Sequence, residues 1–235
     1  HRLIRRQRQM CIRDSSKGLN VIDGMDSNDK EHPLTQLLIL KIVLHNENSA
    51  TALKCLEKIT YSNHENSIDA LIVAATQCKR WTDLAVKAMC FVFDALDQKW
   101  FPEKDCVPTV GLLRYTLQML IKMTDDCADD RLVEHLKNIR LLLTKGSEYL
   151  QKIKMIWLLG DSSMIDLRFQ EVISINEIEW FASTAYNVAI KSLSSNMDLK
   201  LDCFAQLAVD YILMIPVQES TFPKLLHYTY WRLSL

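Results

Sequence analysis

Glycine and proline are scarce in this chain of 235 residues, with five of each, and that scarcity excludes a turn-rich β architecture before any pattern is read. Gly18, Gly24, Gly111, Gly146 and Gly160 stand singly, so none builds a phosphate-cradling loop or a dinucleotide fingerprint. Long apolar runs are missing as well. The stretch Leu37 to Leu44 is interrupted by Lys41 and is too short to cross a bilayer, so no membrane span is expected. Paired cysteines are absent: Cys55, Cys78, Cys90, Cys106, Cys127 and Cys203 are scattered, a usage that fits structural thiols in an intracellular, reducing compartment. His32, His45, His64, His135 and His227 are equally dispersed, with no Cys-x-x-Cys or His-Glu-x-x-His among them. No metal and no cofactor are expected.

Signatures of catalysis are lacking too. Asp125, Asp126, Asp129 and Asp130 cluster, but consecutive acids in a turn read as a solvated helix entry, and paired carboxylates do acid/base work only where their environments split their pKa values. No nucleophile elbow is present. The chain is not expected to be an enzyme.

What is present is a 49% hydrophobic content, enough for a sizeable core, arranged with helical periodicity from about residue 32 onward. The pattern predicts a helix from Pro33 to about His45, with proline in its favoured first-turn place. Asn48-Ser49-Ala50 opens a second helix through Leu53, Leu56 and Ile59. Asn66-Ser67 opens a third, with Ile68, Leu71, Ile72 and Ala75 on one stripe, and a fourth covers Thr82 to Leu96. Short polar turns between them give the grammar of stacked antiparallel hairpins. Pro102 and Pro108 bracket a loop, a fifth helix spans Val110 to Met123, and the acidic turn leads into a sixth from Arg131 to Thr144. Lys145-Gly146-Ser147 is either a break or a glycine tolerated inside one long helix, and the break is the favoured reading. Glu148 to Leu159 continues helically, and a loop containing Phe169 leads to Asn176.

The first residues carry a different message. Met10-Cys11-Ile12-Arg13-Asp14-Ser15 resembles a translated mosaic-end adapter of transposase-based sequencing libraries, so residues 1–15 are expected to be an artefact rather than a basic arm, and the reading frame a fragment of a longer protein. The chain holds 28 basic and 29 acidic residues; without the five Arg and one Asp of this segment the balance is 23 against 28, a net of −5. An acidic domain of this kind is not expected to bind DNA directly, because nonspecific affinity comes from Lys and Arg releasing counterions. Residues 16–31 are polar and turn-rich and are expected to be a linker or disordered, leaving 32–235 as a helical-repeat domain.

The densest signal lies in Glu179-Trp180-Phe181, Ala185-Tyr186-Asn187-Val188-Ala189 and a second apolar helix from Leu201 to Leu213, which includes Phe204 and Ala208. Ala189 and Ala208 stand at the separation where a tetratricopeptide-type helix pair places its two close-contact residues. The turn Ser194-Ser195-Asn196-Met197-Asp198 ends in an N-cap residue, while the consensus glycine and tyrosine are missing. The expected fold is therefore all-α, with antiparallel helix hairpins stacked as a helical-repeat solenoid. Trp180, Phe181, Tyr186, Asn187, Ala189, Leu201, Phe204 and Ala208 are candidate repeat-packing positions, and the Trp180-Phe181 pair reads as packing rather than as a ligand cage. The aromatic tail, Tyr228, Tyr230 and Trp231, is a candidate partner anchor or, by the favoured reading, the start of another repeat helix.

The run Asn176-Glu177-Ile178-Glu179-Trp180-Phe181-Ala182-Ser183-Thr184-Ala185-Tyr186-Asn187-Val188-Ala189 resembles the Spo-twenty-two/Zip-four meiotic family over roughly residues 171–216. It differs in having Tyr186 where the family usually has Trp before Asn, a change between two amphipathic aromatics. The resemblance implies a non-catalytic scaffold, nuclear and chromosome-associated, that promotes crossover formation and synaptonemal complex assembly through crossover-promoting protein partners. The alternative is a helical-repeat adaptor in cytoplasmic transport or protein degradation.

Overall fold

The computed structural model describes residues 17, 18, 20–98, 106–125, 129–160, 173–194 and 201–215. Every regular element among them is helical. The chain divides into two compact units, His1–Trp100 and Phe101–Leu235, each with its own core.

In the first unit, residues 20–23 are helical, a short helix α1 follows at Ser27–Glu31, and α2 occupies Pro33–His45. The stretch expected to be linker thus contains helix. Asp26 caps α1 by accepting from the Asp29 N–H at 2.8 Å, Ile22 is buried, and Gln36 donates from Nε2 to the Lys30 carbonyl. A few well-placed contacts order a segment whose own apolar periodicity is too weak to reveal it. Helix α2 begins at Pro33, whose missing N–H is an orphan at that position anyway.

After α2 the chain reverses through Asn46, Glu47 and Asn48, with Glu47 at φ 58°. Asn48 then caps α3, Ser49–Thr60, by accepting from the Thr51 N–H at 3.1 Å. Helix α4 covers Ser67–Gln77, a 3₁₀ turn covers Cys78–Arg80, and α5 runs over Thr82–Gln98. Each of α2 to α5 packs on its sequence neighbour, and α2 also meets α4 while α3 meets α5. Leu40, Leu56, Ile59, Leu71, Ala74 and Met89 are fully buried between them.

The second unit uses longer helices: α6, Cys106–Asp125; α7, Asp129–Gly160; α8, Ile175–Ser194; and α9, Leu201–Ile212. Helix α6 starts before the expected Val110, and Pro108 lies in its first turn, where the absent N–H has no helical partner to lose. The break expected at Gly146 is not there: α7 is one continuous helix of 32 residues. Gly146 belongs to the buried stripe Ile139, Leu143, Gly146, Leu150 and Ile153, where helical spacing of three and four residues continues on both sides. A Cβ at Gly146 would stand 2.6 Å from Leu113 Cδ2 and 2.8 Å from the Tyr211 hydroxyl. The glycine therefore marks a close approach inside a helix. The roughly 1 kcal/mol that glycine costs a helix interior is offset by the packing it permits.

Candidate functional site

Helices α8 and α9 form the most closely associated pair of the second unit, and both also pack on α7. Helix α8 begins with the serine–x–x–glutamate signature of a capping box: Ser174 accepts from the Glu177 N–H through Oγ at 3.2 Å. The Glu177 carboxylate is turned elsewhere, into an ion pair and hydrogen bond with Arg114 of α6. The same guanidinium lies over the Trp180 ring, 4.9 Å from its centroid, a cation–π contact that fixes the indole's orientation.

Behind this entry the aromatic residues separate by depth. Phe181 is fully buried, meets Trp180 edge-on at 5.2 Å between centroids and stacks on Tyr211 of α9 at 5.3 Å. Tyr211 is itself fully buried and donates its hydroxyl hydrogen bond to the Leu143 carbonyl of α7 at 2.7 Å. Burial, and then the neighbouring Asp210 charge, push the Tyr211 phenol well above its ordinary pKa. This tyrosine acts as a neutral structural donor. Lys154 of α7 donates to the Met214 carbonyl at 3.0 Å just beyond α9, so the hairpin is tied to α7 at two levels.

Of the residues singled out in the sequence, Phe181, Ala189, Phe204 and Ala208 lie in the core at no more than 1% exposure. Trp180 and Tyr186 are half-buried and Asn187 is exposed. Leu201 stands at the start of α9, while Tyr228, Tyr230 and Trp231 lie outside the described residues, as does the adapter-like segment 1–15. The exposed Asn187 faces an open cleft of about 370 Å³ between α6 and α8, floored by Leu136 of α7. Helix α6 supplies Gln118, Ile121, Lys122 and Thr124 to it; α8 supplies Trp180, Thr184, Val188 and Lys191 as well. Lys191 donates to Thr124 Oγ1 at 3.1 Å across the cleft, and Thr124 donates in turn to the Ile121 carbonyl. The walls are mainly apolar, the rim carries amides and two ammonium groups, and among the described residues no carboxylate lines it. Such a surface can seat a side chain of a partner and hydrogen-bond its backbone.

Arg114, Lys122 and Tyr211 were not legible as site residues, because each reaches its partners from a helix far away in sequence. The Ser174-x-x-Glu177 spacing is the signal that could have found the start of α8. The histidines read as dispersed do meet in one place. The Nε2 atoms of His32 and His64 are 3.1 Å apart with their rings edge to face, yet among the described residues no third His, Cys, Asp or Glu completes a metal-binding group. Cys55, Cys78 and Cys203 are free thiols. Burial pushes Cys55 up to about 11, with Lys58 opposing, and Cys78 up to about 12. Among the described residues no helix is long and apolar enough to cross a membrane.

The described helices define an all-α protein, and one of its surfaces is a polar-rimmed apolar groove. The chain is 39% identical over 225 residues, 94% of its length, to Sporulation-specific protein 22 of Saccharomyces cerevisiae, and it belongs to the Spo-twenty-two/Zip-four family. It spans 23% of that relative's length. No family model matches the chain, and no solved structure matches it.

Proposed function

We propose that this chain is part of a non-catalytic protein-interaction scaffold that acts in meiosis, promoting crossover formation and assembly of the synaptonemal complex on nuclear chromosomes. The observation that carries this reading is the 39% identity to a sporulation-specific protein across nearly the whole chain. Its partners are other proteins, crossover-promoting factors among them, and its chromosome association runs through them rather than through direct DNA contact. The cleft beside Asn187 is the docking surface: helices fix its walls from three sides, and exposed amide and apolar groups converge there.

The helix hairpins extend as a tetratricopeptide-like solenoid in the full protein. Supporting this are the packing of α2 to α5 on nearest and second-nearest neighbours, which is how repeats share a continuous core, and the full burial of Ala189 and Ala208 on consecutive helices. In that arrangement the two alanines are the close-contact positions of one hairpin.

A chimera tests the proposal. With this chain replacing the matching part of the yeast relative, crossing-over and spore viability are expected to be retained, and to fall when Asn187 and Trp180 are both changed to Ala. A chimera that is expressed and folded but gives no crossing-over above a deletion strain overturns the meiotic reading. A salt-sensitive gel shift by the isolated chain at submicromolar concentration overturns the exclusion of direct DNA binding.

A further inference from the structure

Extending the scaffold reading, on which it rests, we infer that the outward stripe of α2, led by Leu34 and Leu38, is an internal joint: a helix of the same polypeptide, from beyond this chain, lies along it. Helix α2 has no polar face. Of its residues Pro33–His45 only Thr35, Gln36, Lys41 and His45 are polar, and Gln36 is buried. The helix packs on α3 and α4, with Gln36, Leu40, Val43 and Leu44 buried. Ile42 lies beside Gly18, where a Cβ would stand 3.1 Å from its Cδ1. Opposite the buried side stand Leu34, Leu38, Lys41 and His45, spaced by four, three and four residues along one line of the helix. Leu34 is 54% and Leu38 49% exposed, and Lys41 and His45 are exposed as well.

A helix that is apolar all round belongs inside a larger structure. What covers its outer stripe follows from the chemistry of that stripe. Interfaces between partners that meet and part are about as polar as ordinary surface, whereas interfaces that never part resemble a core cut in half. Half-buried Leu37 and Ile39 flank Leu38, so the N-terminal half of α2 is of the second kind. The cover is then a permanent one. This chain spans 23% of the length of its yeast relative, so most of a scaffold of that length lies beyond it. A tethered helix docks at high effective concentration, without waiting for a second molecule. Spacing of four and three residues is also that at which one helix face meets another. Lys41 and His45, at the far end of the stripe, form its polar margin.

Maleimide labelling of Leu38→Cys tests the joint, read by mass spectrometry of the peptide that holds position 38 so that the native thiols do not interfere. It is run on the chain alone and on the chimera with the yeast relative. Tyr61→Cys, at a position 70% exposed, is the control that should label fast in both. Position 38 is expected to label fast in the chain alone at every protein concentration. In the chimera it should label at least roughly tenfold more slowly, because the reagent must wait for local opening. Leu34→Lys combined with Leu38→Lys gives a second reading: the chain alone is expected to keep its resistance to proteolysis, and the chimera to be cleaved faster. Fast labelling of position 38 in the folded chimera overturns the inference and assigns the stripe to a separate partner. Protection in the chain alone overturns it too: a second copy covers the stripe if protection grows with protein concentration, and another part of this chain if it does not. Crossing-over in the chimera decides the meiotic reading separately, whatever the labelling shows.

Discussion

The two units reach burial by different means. The first uses short helices whose starts are secured by side-chain caps at Asp26, His32 and Asn48, and its fully buried positions are filled by Leu, Ile, Val, Ala, Met and Cys. The second uses helices of up to 32 residues, buries Phe181, Phe204 and Tyr211 completely, and joins its helices through polar contacts of long sequence separation, Arg114 to Glu177 and Tyr211 to Leu143. Short helices have a large share of unsatisfied termini, so local capping matters most there. Long helices carry their ends far from one another, and their mutual register is set by single large side chains meeting single small ones. That is the relation of Tyr211 and Leu113 to Gly146.

Truncating the stacked aromatic core should break the comparison hardest. Phe181→Ala removes a fully buried ring packed against both Trp180 and Tyr211, and a loss of about 3–5 kcal/mol is expected. Hydrogen exchange should show protection falling in α7, α8 and α9 while α2 to α5 keep theirs. Equal loss in the first unit would mean that the two cores are a single cooperative one.

Alkaline pH should act in the opposite sense, on the first unit. Cys55 and Cys78 are neutral and buried, with pKa values raised from 9.0 to about 11 and about 12. The sign follows from linkage: above pH 9 the unfolded thiols ionise while the folded ones hold their protons, so stability is complete below pH 9 and declines as pH rises toward the folded values. Each thiol contributes a slope of up to about 1.4 kcal/mol per pH unit in that window. A denaturation series from pH 8 to 11 checks this, and Cys78→Ala should flatten the decline by about half. An unchanged slope in that variant would assign the alkaline loss to Tyr211 instead, whose phenol is also held neutral by burial.

Gly146→Ala sets two effects against each other. Alanine favours the helix by about 1 kcal/mol, but its Cβ needs space held by Leu113 and the Tyr211 hydroxyl, and overpacking of that kind costs about 1–3 kcal/mol. A net loss of about 1 kcal/mol in the denaturant midpoint is expected, reduced when Tyr211→Phe is introduced alongside. Stabilisation by alanine would show that the close approach relaxes freely and that register in the second unit does not depend on it. The smallest change belongs to a cap: Asn48→Ala removes the acceptor of the Thr51 N–H and should cost about 1 kcal/mol or slightly less, confined to the exchange rates at the start of α3.

Helix starts were readable wherever the chain itself supplies the partner. Pro33 opens α2, Asn48 caps α3 and Thr82 begins α5, as the pattern predicted, because a cap and its N–H lie within three residues of each other. The buried stripe of α4 was readable for the same reason, as was the family run from Asn176 to Ala189. Gly146 was misread because a glycine in a helical pattern looks the same in sequence whether it ends the helix or admits a neighbour. The neighbours that decide the matter, Leu113 and Tyr211, are 33 and 65 positions away. Helix α1 and the buried Ile22 lie inside the stretch read as linker, and contacts rather than their own periodicity hold them.

The sequence by itself determined the helical class and most helix boundaries, since local hydrogen bonding and a repeat of 3.6 residues are written in neighbouring positions. Only the tertiary structure decided that α7 is continuous, that Glu177 turns from its capping role to Arg114, and that Lys122, Asn187 and Trp180 share one cleft. Each of those depends on the distance between helices, a quantity set by how side chains of unlike size fit together across the core and carried by no single stretch of the chain.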